Sequence, residues 1–372
     1  MDDCAPYRIE AKYIQETWHV ARGGLDEGTA TLGKLDVALQ VDGGRAFSLP
    51  ALTLFVRGIY DNDGSVSTAM TGDAQGVSNI EAIAAARLFE LWSEVSMGER
   101  SSLRVGLYDF NSEFDSNATG ALFINPSHGI GKEVSQSGHA GPSIFPVTSL
   151  GARVRWAASR AWSVQMVALD GVPGDPDRPK RTTVQLDADE GALVAAEIDR
   201  HGERLTKLGI GTWRYTGHFD RFADTATPEA GQVRGTGGAY ALAEMQLWRS
   251  GDASERGLAA FMRYGVADSD VHRFASYFGS AFVYTGLVTA DDQLGIAIAH
   301  ARNGTPYRRE LSLDGPGTDR AETNIELTWR WGVNDWLTLQ PDLQYILNPN
   351  TDPVLRDALA VGLRFELSMD YP

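Results

Sequence analysis

The chain has 372 residues, a formal net charge of −16 and a pI near 4.9, a balance that argues against nucleic-acid binding. It contains no run of about 18 apolar residues and therefore no transmembrane helix. Its single cysteine, Cys4, excludes an intramolecular disulfide scaffold or a thiolate zinc cluster.

The N-terminal residues MDDCAPYRIE lack the basic and apolar regions of a signal peptide, so we expect that an export signal has been removed from this chain. The mean hydropathy is −0.23. That value is compatible with a transmembrane β-barrel, because only alternate residues of each strand face lipid. We assign 1–12 to an N-terminal segment, 13–368 to a single barrel domain and 369–372 to a C-terminal tail.

In chain order the sequence alternates between apolar-patterned strands and turns or loops. The sixteen candidate strands are 13–22, 31–42, 51–60, 82–97, 101–109, 149–157, 161–170, 191–200, 204–214, 237–248, 257–266, 275–286, 292–302, 322–332, 336–347 and 357–368. Short connections such as GERS, ASR, HGE and GVND alternate with long polar ones, at about 61–81, 110–148, 171–190, 215–236, 303–321 and 348–356. Short periplasmic turns, long extracellular loops and an even strand number are typical of outer-membrane barrels. The pattern predicts an all-β, antiparallel, up-and-down transmembrane barrel with both termini on the short-turn side.

Tryptophans recur beside the short turns. Trp329, Trp331 and Trp336 bracket GVND, and Trp156 and Trp162 flank ASR on the apolar face. Because tryptophan combines an apolar ring with an N–H donor, it suits the headgroup level of a membrane. This placement indicates that the apolar face meets lipid and is not a soluble core.

Three stretches fit the strand pattern poorly. Residues 82–86 read AIAAA, the segment 191–213 alternates weakly, and 275–286 is aromatic on both faces. A helix over 80–97 remains an alternative, since Ile83, Arg87, Glu90 and Glu94 have helical spacing.

The interior of a sixteen-strand barrel is water-filled, so charged side chains there cost little and tune selectivity. Alternation places seven polar or aromatic side chains of three consecutive strands on the lumen face: Glu90, Trp92, Glu94, Arg104, Tyr108, Arg153 and Arg155. Guanidinium groups donate to sugar hydroxyls, carboxylates accept from them, and rings pack on sugar C–H faces. We predict that these residues line the pore and contact sugar. The alternative is a solvated wall of cross-strand ion pairs.

The connection 110–148 is the longest. Loops longer than about 12–15 residues are usually functional or disordered, and this one carries Phe114, Leu122, Phe123, Ile124 and Phe145, which makes it too apolar for a disordered segment. We expect it to fold into the lumen and narrow it. The alternative is an outward extracellular flap.

The chain offers no catalytic constellation, cofactor motif or metal motif. His128, His139, His201, His218, His272 and His300 are scattered, without a metal-binding helical spacing. Whether outer-loop acids such as Asp175 and Asp177 bind a divalent ion is left open.

Several stretches resemble the OprB-type carbohydrate-selective porins of Gram-negative outer membranes. They are ARGGLDEGTATLGKLDVAL, INPSHG, GPSIFPVTSLGARVRW, WSVQMVALDGVPGDP, DDQLGIAIAHARNG and the ending from ETNIELTWRWGVNDWLTLQPDLQYILNPN to VGLRF. The resemblance spans roughly Tyr13 to Phe365. It implies a sixteen-stranded barrel in the outer membrane, a loop-narrowed pore, passive uptake of glucose or other small sugars, and no cofactor. Members normally end in an aromatic residue, whereas here SMDYP follows the last strand's Phe365.

Three other functions are weighed against a passive sugar channel. A general or cation-leaning diffusion pore would carry current indifferent to sugar. A soluble carbohydrate-binding β protein would need no detergent. An outer-membrane barrel enzyme would need a Ser/His or Asp/His group at the rim, and the sequence offers no convincing one. Which sugar passes, and whether the chain forms a homo-oligomer, are not defined by the sequence.

Overall fold

The structure, a computed structural model, describes residues 5–223, 231–251 and 256–371. Within them, sixteen antiparallel strands form one closed barrel, in which each strand pairs with its chain neighbours and β1 pairs with β16. The strands are β1 (Tyr7–Gly24), β2 (Gly28–Asp42), β3 (Leu52–Asp61), β4 (Ala85–Ser96), β5 (Ser101–Tyr108), β6 (Ser149–Ala157), β7 (Trp162–Asp170), β8 (Ala192–His201), β9 (Leu205–Asp220), β10 (Gln232–Arg249), β11 (Gly257–Ala267), β12 (Phe274–Thr285), β13 (Gln293–Asn303), β14 (Ala321–Asn334), β15 (Leu337–Leu347) and β16 (Arg356–Tyr371). The predicted fold class is confirmed. Cys4 lies outside the described residues.

The helices all lie in the connections. They are α1 (Gly43–Phe47), α2 (Lys132–Ser135) and α3 (Thr305–Asp314), with short 3₁₀ turns at Phe110–Ser112, Gly120–Leu122, Pro126–His128 and Pro349–Thr351 and a π-turn at Ser67–Thr71. None of the described helices is long and apolar enough to cross a membrane.

Strand pairing extends further at both ends of the chain than the sequence pattern predicted. β1 begins at Tyr7, β16 ends at Tyr371, and Ile9 pairs with Tyr371. The segments set apart as 1–12 and 369–372 therefore contribute to the barrel wall where they are described. The helical alternative for 80–97 is wrong, because β4 spans Ala85–Ser96 and pairs with β3 and β5.

β9 continues to Asp220 and β10 begins at Gln232, so both strands extend into the predicted loop 215–236. In the upper part of β9, Trp213, Tyr215 and Phe219 are buried on the inward face, whereas Arg214 and Thr216 are exposed outward. The apolar face thus points inward there, the reverse of the lipid-facing part of the wall. That reversal explains why this segment did not look like a transmembrane strand.

Short connections lie on the side of the termini, as predicted, for example at 97–100, 158–161, 202–204 and 335–336. The opposite side carries loop 2 (62–84), loop 3 (109–148), loop 4 (171–191) and the loop 304–320. Two connections on that side depart from the pattern, because 25–27 and 268–273 are short.

An aromatic girdle surrounds the short-turn end of the barrel. Trp156, Trp162 and Trp336 are exposed there. The rings of Trp329 and Trp331 stack with their centroids 5.9 Å apart and 4° between their planes. Aromatic rings at this level anchor the barrel at a membrane interface.

A β-bulge in β4 changes which of its side chains face inward. Arg57 pairs with Glu90 and Gly58 with Leu88, so Phe89 is the additional residue. Phe89 is 2% exposed and its ring lies 6.2 Å from that of Phe145 in loop 3. Strict alternation with Glu90, Trp92 and Glu94 facing inward would place Phe89 on the outer face, which is wrong because the bulge turns Phe89 into the lumen.

Candidate pore-lining site

Loop 3 lies against the lumen face of the wall from β8 to β15. Inward side chains of several strands bind its backbone. For example, the Asp115 N–H donates to Glu197 at 2.9 Å, Thr119 N–H to Glu244 at 2.7 Å and Ile124 N–H to Glu326 at 2.6 Å, while Tyr277 donates to Ser127 O at 2.6 Å and Gln340 to Leu122 O at 2.8 Å. Loop 3 therefore contacts wall positions up to 219 residues away in sequence.

Arg263 on β11 makes four hydrogen bonds to two carboxylates of loop 3. Its guanidinium donates to Asp115 at 2.7 and 2.6 Å and to Glu133 at 2.7 and 3.1 Å. All three side chains are buried. Burial raises the pKa of both Asp115 and Glu133, and the guanidinium opposes that rise. Bidentate, charge-assisted pairs of this kind fix geometry as well as adding energy.

His128 of loop 3 is fully enclosed, with its ring 4.9 Å from Phe123 and 6.4 Å from Phe261. Burial lowers the pKa of His128 to about 3. Its Nε2 lies 3.5 Å from Glu326, yet a neutral imidazole forms no ion pair there. Loop 3 is therefore docked with His128 uncharged.

Loop 2 also lies inside the barrel, which the sequence did not predict. Glu322 of β14 accepts from the backbone N–H groups of Ala74 and Gln75 at 2.8 and 2.9 Å, and Gln344 donates to Val77 O at 2.8 Å. Val77 packs in a buried cluster with Ile124 of loop 3. The polar composition of loop 2 gave no signal for this, since its partners lie far along the chain.

The lumen wall of β4 to β6 brings together five of the seven predicted residues. We call Trp92, Glu94, Arg104, Tyr108 and Arg153, together with Glu113 of loop 3, the Arg104 cluster. The Arg104 guanidinium carbon lies 3.8 Å from the Trp92 ring centroid, and its Nε donates to Glu94 at 2.7 Å. Tyr108 donates its hydroxyl proton to Glu113. This group presents donors, acceptors and an aromatic face at one place.

Within the Arg104 cluster, Arg153 is the buried member that binds both carboxylates. Its Nε donates to Glu113 and an Nη to Glu94, both at 2.7 Å, and its other Nη donates to Ser102 at 2.7 Å. The side chain is 1% exposed, compared with 14% for Arg104, 22% for Glu94 and 15% for Glu113. Arg153 therefore positions the two carboxylates and does not reach the lumen.

Of the other two predicted residues, Arg155 lies outside this cluster, whereas Glu90 accepts from Trp92 Nε1 at 3.2 Å and connects the cluster to its neighbour. Glu90 belongs to a neighbouring group that we call the Arg57 cluster: Lys34, Asp36, Arg57 and Glu90. Arg57 donates to both Asp36 oxygens, at 2.8 and 2.6 Å, and its Nη1 lies 3.5 Å from Glu90. Arg155 is exposed near the short-turn end, opposite Ser102 and Gln165 in the strand register.

An aromatic pair connects the two clusters. Phe55 of β3 stacks on Trp92 with ring centroids 4.8 Å apart and 20° between the planes. Phe55 shares the lumen face of β3 with Arg57, two positions away. The sequence did not single out Lys34, Asp36, Phe55 or Arg57, although Lys34 and Asp36 do alternate with apolar Leu35 and Val37. Glu113 gave no signal, because it lies in a loop.

Within the described ranges, no group of three or more His, Cys, Asp or Glu side chains could hold a metal ion. Asp175 accepts instead from the backbone N–H of Asp177 at 3.0 Å and lies 3.7 Å from Arg178.

A closed, even-stranded barrel with an apolar outer belt, an aromatic girdle and a charged lumen defines the porin class of outer-membrane channel. Residues 26–369 match the family model described as "Carbohydrate-selective porin, OprB family", and the chain belongs to that family. The predicted family and the Gram-negative outer-membrane location are confirmed. Porins are channels and not enzymes, as predicted.

Porin B of Pseudomonas aeruginosa is 27% identical to this chain over 264 residues, a match that covers 62% of this chain and 58% of that relative's length. The high-pH structure of Pseudomonas putida OprB has a TM-score of 0.85 at 18% identity and covers 98% of this chain and 94% of that one. The outer-membrane channel DcaP of Acinetobacter baumannii has a TM-score of 0.58 at 9% identity, with 98% and 97% covered. At these identities the two structures are evidence of the common fold.

Proposed function

We propose that this porin lets small neutral sugars of the glucose type diffuse passively across the outer membrane, through a lumen that loop 3 narrows. The observation that carries the proposal is the Phe55–Trp92 ring pair on the lumen wall, with the Arg57 cluster on one side and the Arg104 cluster on the other. Ring faces next to guanidinium and carboxylate groups suit a molecule with an apolar C–H face and many hydroxyls.

The contact residues we assign are those with exposed surface. Arg57 and Arg104 donate to sugar hydroxyls, Glu94 and Glu113 accept from them, and Trp92 and Phe55 provide the stacking surface. Arg153 positions the carboxylates and Tyr108 holds Glu113. Binding at this wall is weak, because a diffusion channel must release its solute as readily as it captures it.

Charge balance favours a neutral solute. The Arg104 cluster has two cations, Arg104 and Arg153, against two carboxylates, Glu94 and Glu113. The Arg57 cluster likewise has Lys34 and Arg57 against Asp36 and Glu90. Paired charges give strong local hydrogen bonding with little net field, so the wall suits hydroxyl groups better than ions of one sign.

Narrowing by loop 3 follows from its anchors. Its backbone is bound by β8, β10, β12, β14 and β15, and Arg263 of β11 holds two of its carboxylates. A loop held in this way occupies part of the lumen cross-section and narrows the path that remains for solutes.

Planar-bilayer conductance of the detergent-purified protein, with glucose titrated into both chambers, tests the proposal. We expect ion current to fall saturably with glucose and the apparent affinity to weaken in Arg104→Gln. The matched control is Arg155→Gln, which changes an exposed lumen arginine outside both clusters. Current indifferent to glucose would contradict the proposal. It would support a general, cation-leaning pore, for which the formal net charge of −16 is the favouring observation.

A further inference from the structure

A second pocket opens on the lumen wall near the periplasmic ends of the strands, where β16, β1, β2 and β3 meet. Its volume is about 350 Å³, within the range of small-molecule sites. Six of its lining residues matter for its chemistry: Arg8, Glu10, Ala38, Phe55, Arg57 and Asp370. We call this the exit pocket, because the short-turn end of the barrel is the periplasmic end.

The strand register explains why a hollow exists at this position. Glu10 lies opposite Asp370 on β16 and opposite Ala38 on β2, and Ala38 lies opposite Arg57 on β3. Directly opposed residues have Cβ atoms about 4.5–5.5 Å apart, so the four side chains form one row across four strands. Ala38 is the small member of that row, and its methyl group leaves the space between Glu10 and Arg57 unfilled.

The exit pocket offers both donors and acceptors to a solute. Arg8 and Glu10 form an ion pair at 3.0 Å while their side chains stay 60% and 51% exposed. Arg57 is 31% exposed and bound to Asp36. A neutral polyol needs both kinds of partner, because each hydroxyl donates one hydrogen bond and accepts others. A site for a single ion would instead concentrate one sign of charge.

Phe55 connects the exit pocket with the proposed sugar site. It lines the exit pocket, and its ring also stacks on Trp92 at 4.8 Å. Arg57 likewise lines the exit pocket and belongs to the Arg57 cluster. The ring surface is therefore continuous from Trp92 to the exit pocket, with guanidinium groups on both sides of it.

We propose that the exit pocket is a second sugar subsite, and that the two subsites together bind one neutral disaccharide along the Phe55–Trp92 surface. The proposal rests on the proposed function and deepens it, because it assigns two-ring sugars as a substrate class. One ring occupies the region of Trp92 and Arg104, and the other occupies the hollow above Ala38. A disaccharide therefore binds more tightly than glucose in the native channel.

The test compares glucose and maltose as blockers of ion current in planar bilayers. Ala38→Gln fills the hollow, and Glu10→Gln removes a carboxylate without filling it. Losing a net hydrogen bond of about 0.5–1.5 kcal/mol corresponds to a roughly two- to twelvefold change in affinity. We expect each variant to weaken maltose block by that factor and to change glucose block by less than about twofold.

Ala157→Gln is the matched control, since Ala157 ends β6 on the lumen face outside the exit pocket.

The outcomes are distinguishable. If maltose block stays native in Ala38→Gln and Glu10→Gln but weakens in Trp92→Ala, the second subsite is refuted and the proposed function stands. If Ala157→Gln weakens maltose block as much as Ala38→Gln does, general narrowing explains the effect and the subsite is also refuted. If neither sugar blocks the native channel, both proposals fail. Should Ala38→Gln not assemble, Glu10→Gln decides the test, because its side chain is half exposed and tolerant of change.

Discussion

Arg263→Gln should release loop 3 from the wall without unfolding the barrel. The substitution leaves Asp115 and Glu133 buried without their cation, and both lie in loop 3. Removing one partner of a buried pair costs about 3–5 kcal/mol. That cost shifts the ratio of docked to released loop by roughly two to three and a half powers of ten. The barrel itself is held by the strand ladders, which the substitution does not touch.

Single-channel conductance is the direct measurement. We expect Arg263→Gln to raise conductance and the frequency of current fluctuations, because a released loop no longer occupies the lumen. Limited proteolysis should cut loop 3 in the variant, while the heat-modifiable mobility of the folded barrel on a denaturing gel stays native.

Arg330→Gln is the matched control for this prediction. Arg330 also faces inward and lies 3.4 Å from Glu366, but it is 40% exposed and its partner belongs to a strand, β16, and not to loop 3. An exposed pair is worth about 0–1 kcal/mol, so its loss should leave conductance native. Native conductance and native proteolysis in Arg263→Gln would refute the idea that this anchor holds loop 3.

Three further predictions follow from named residues. Trp92→Ala should weaken glucose block by several-fold with near-native conductance, measured by current titration; unchanged block would exclude Trp92 from the sugar contact. Arg153→Gln should also weaken glucose block, because Glu94 and Glu113 lose their support, whereas Arg155→Gln should not; equal effects would contradict the positioning role of Arg153. Acidification should loosen loop 3 through His128, whose pKa is about 3 when the loop is docked and near 6.5 in water. The released loop therefore binds more protons than the docked loop. Docking should weaken as the pH falls below about 6.5, by about 2 kcal/mol at pH 5. Current fluctuations should therefore rise between pH 7 and pH 5 in the native channel and rise less in His128→Leu; an identical pH response would refute this role.

The barrel could be predicted from the sequence because a strand with lipid on one face and the lumen on the other alternates apolar and polar residues. On β14, Ile325 and Leu327 point outward, whereas Asn324 and Glu326 are buried inward. The alternation is reversed where inward-facing residues pack on a loop inside the barrel. Trp213, Tyr215 and Phe219 pack on loop 3, so their apolar face turns inward, and the prediction ended the strand at residue 214 although β9 continues to Asp220.

The candidate site was predictable only on its strand side. Glu94, Arg104 and Arg153 follow from alternation, because each strand places them on the lumen face. Glu113 does not, since its position depends on how loop 3 crosses the lumen. The same holds for the Asp115–Arg263 pair, whose members are 148 residues apart. A single sequence carries no periodic signal for contacts of that range.

The wall and loop 3 are chemically coupled through two arginines. Arg104 and Arg153 lie directly opposite each other on β5 and β6, and like charges in that position repel. Glu94 on the neighbouring strand balances one of them, and Glu113 from loop 3 balances the other. If loop 3 undocks, Glu113 leaves with it, and the cluster changes from two cations and two carboxylates to two cations and one carboxylate. Release also uncovers the wall carboxylates Glu197, Glu244 and Glu326, so the effect at the cluster is isolated by removing Arg104. Arg104→Gln should shift the reversal potential in a KCl gradient further toward cations in the Arg263→Gln background than in the native channel. An equal shift in both backgrounds would mean that Glu113 stays bound to Arg153 when the rest of the loop moves.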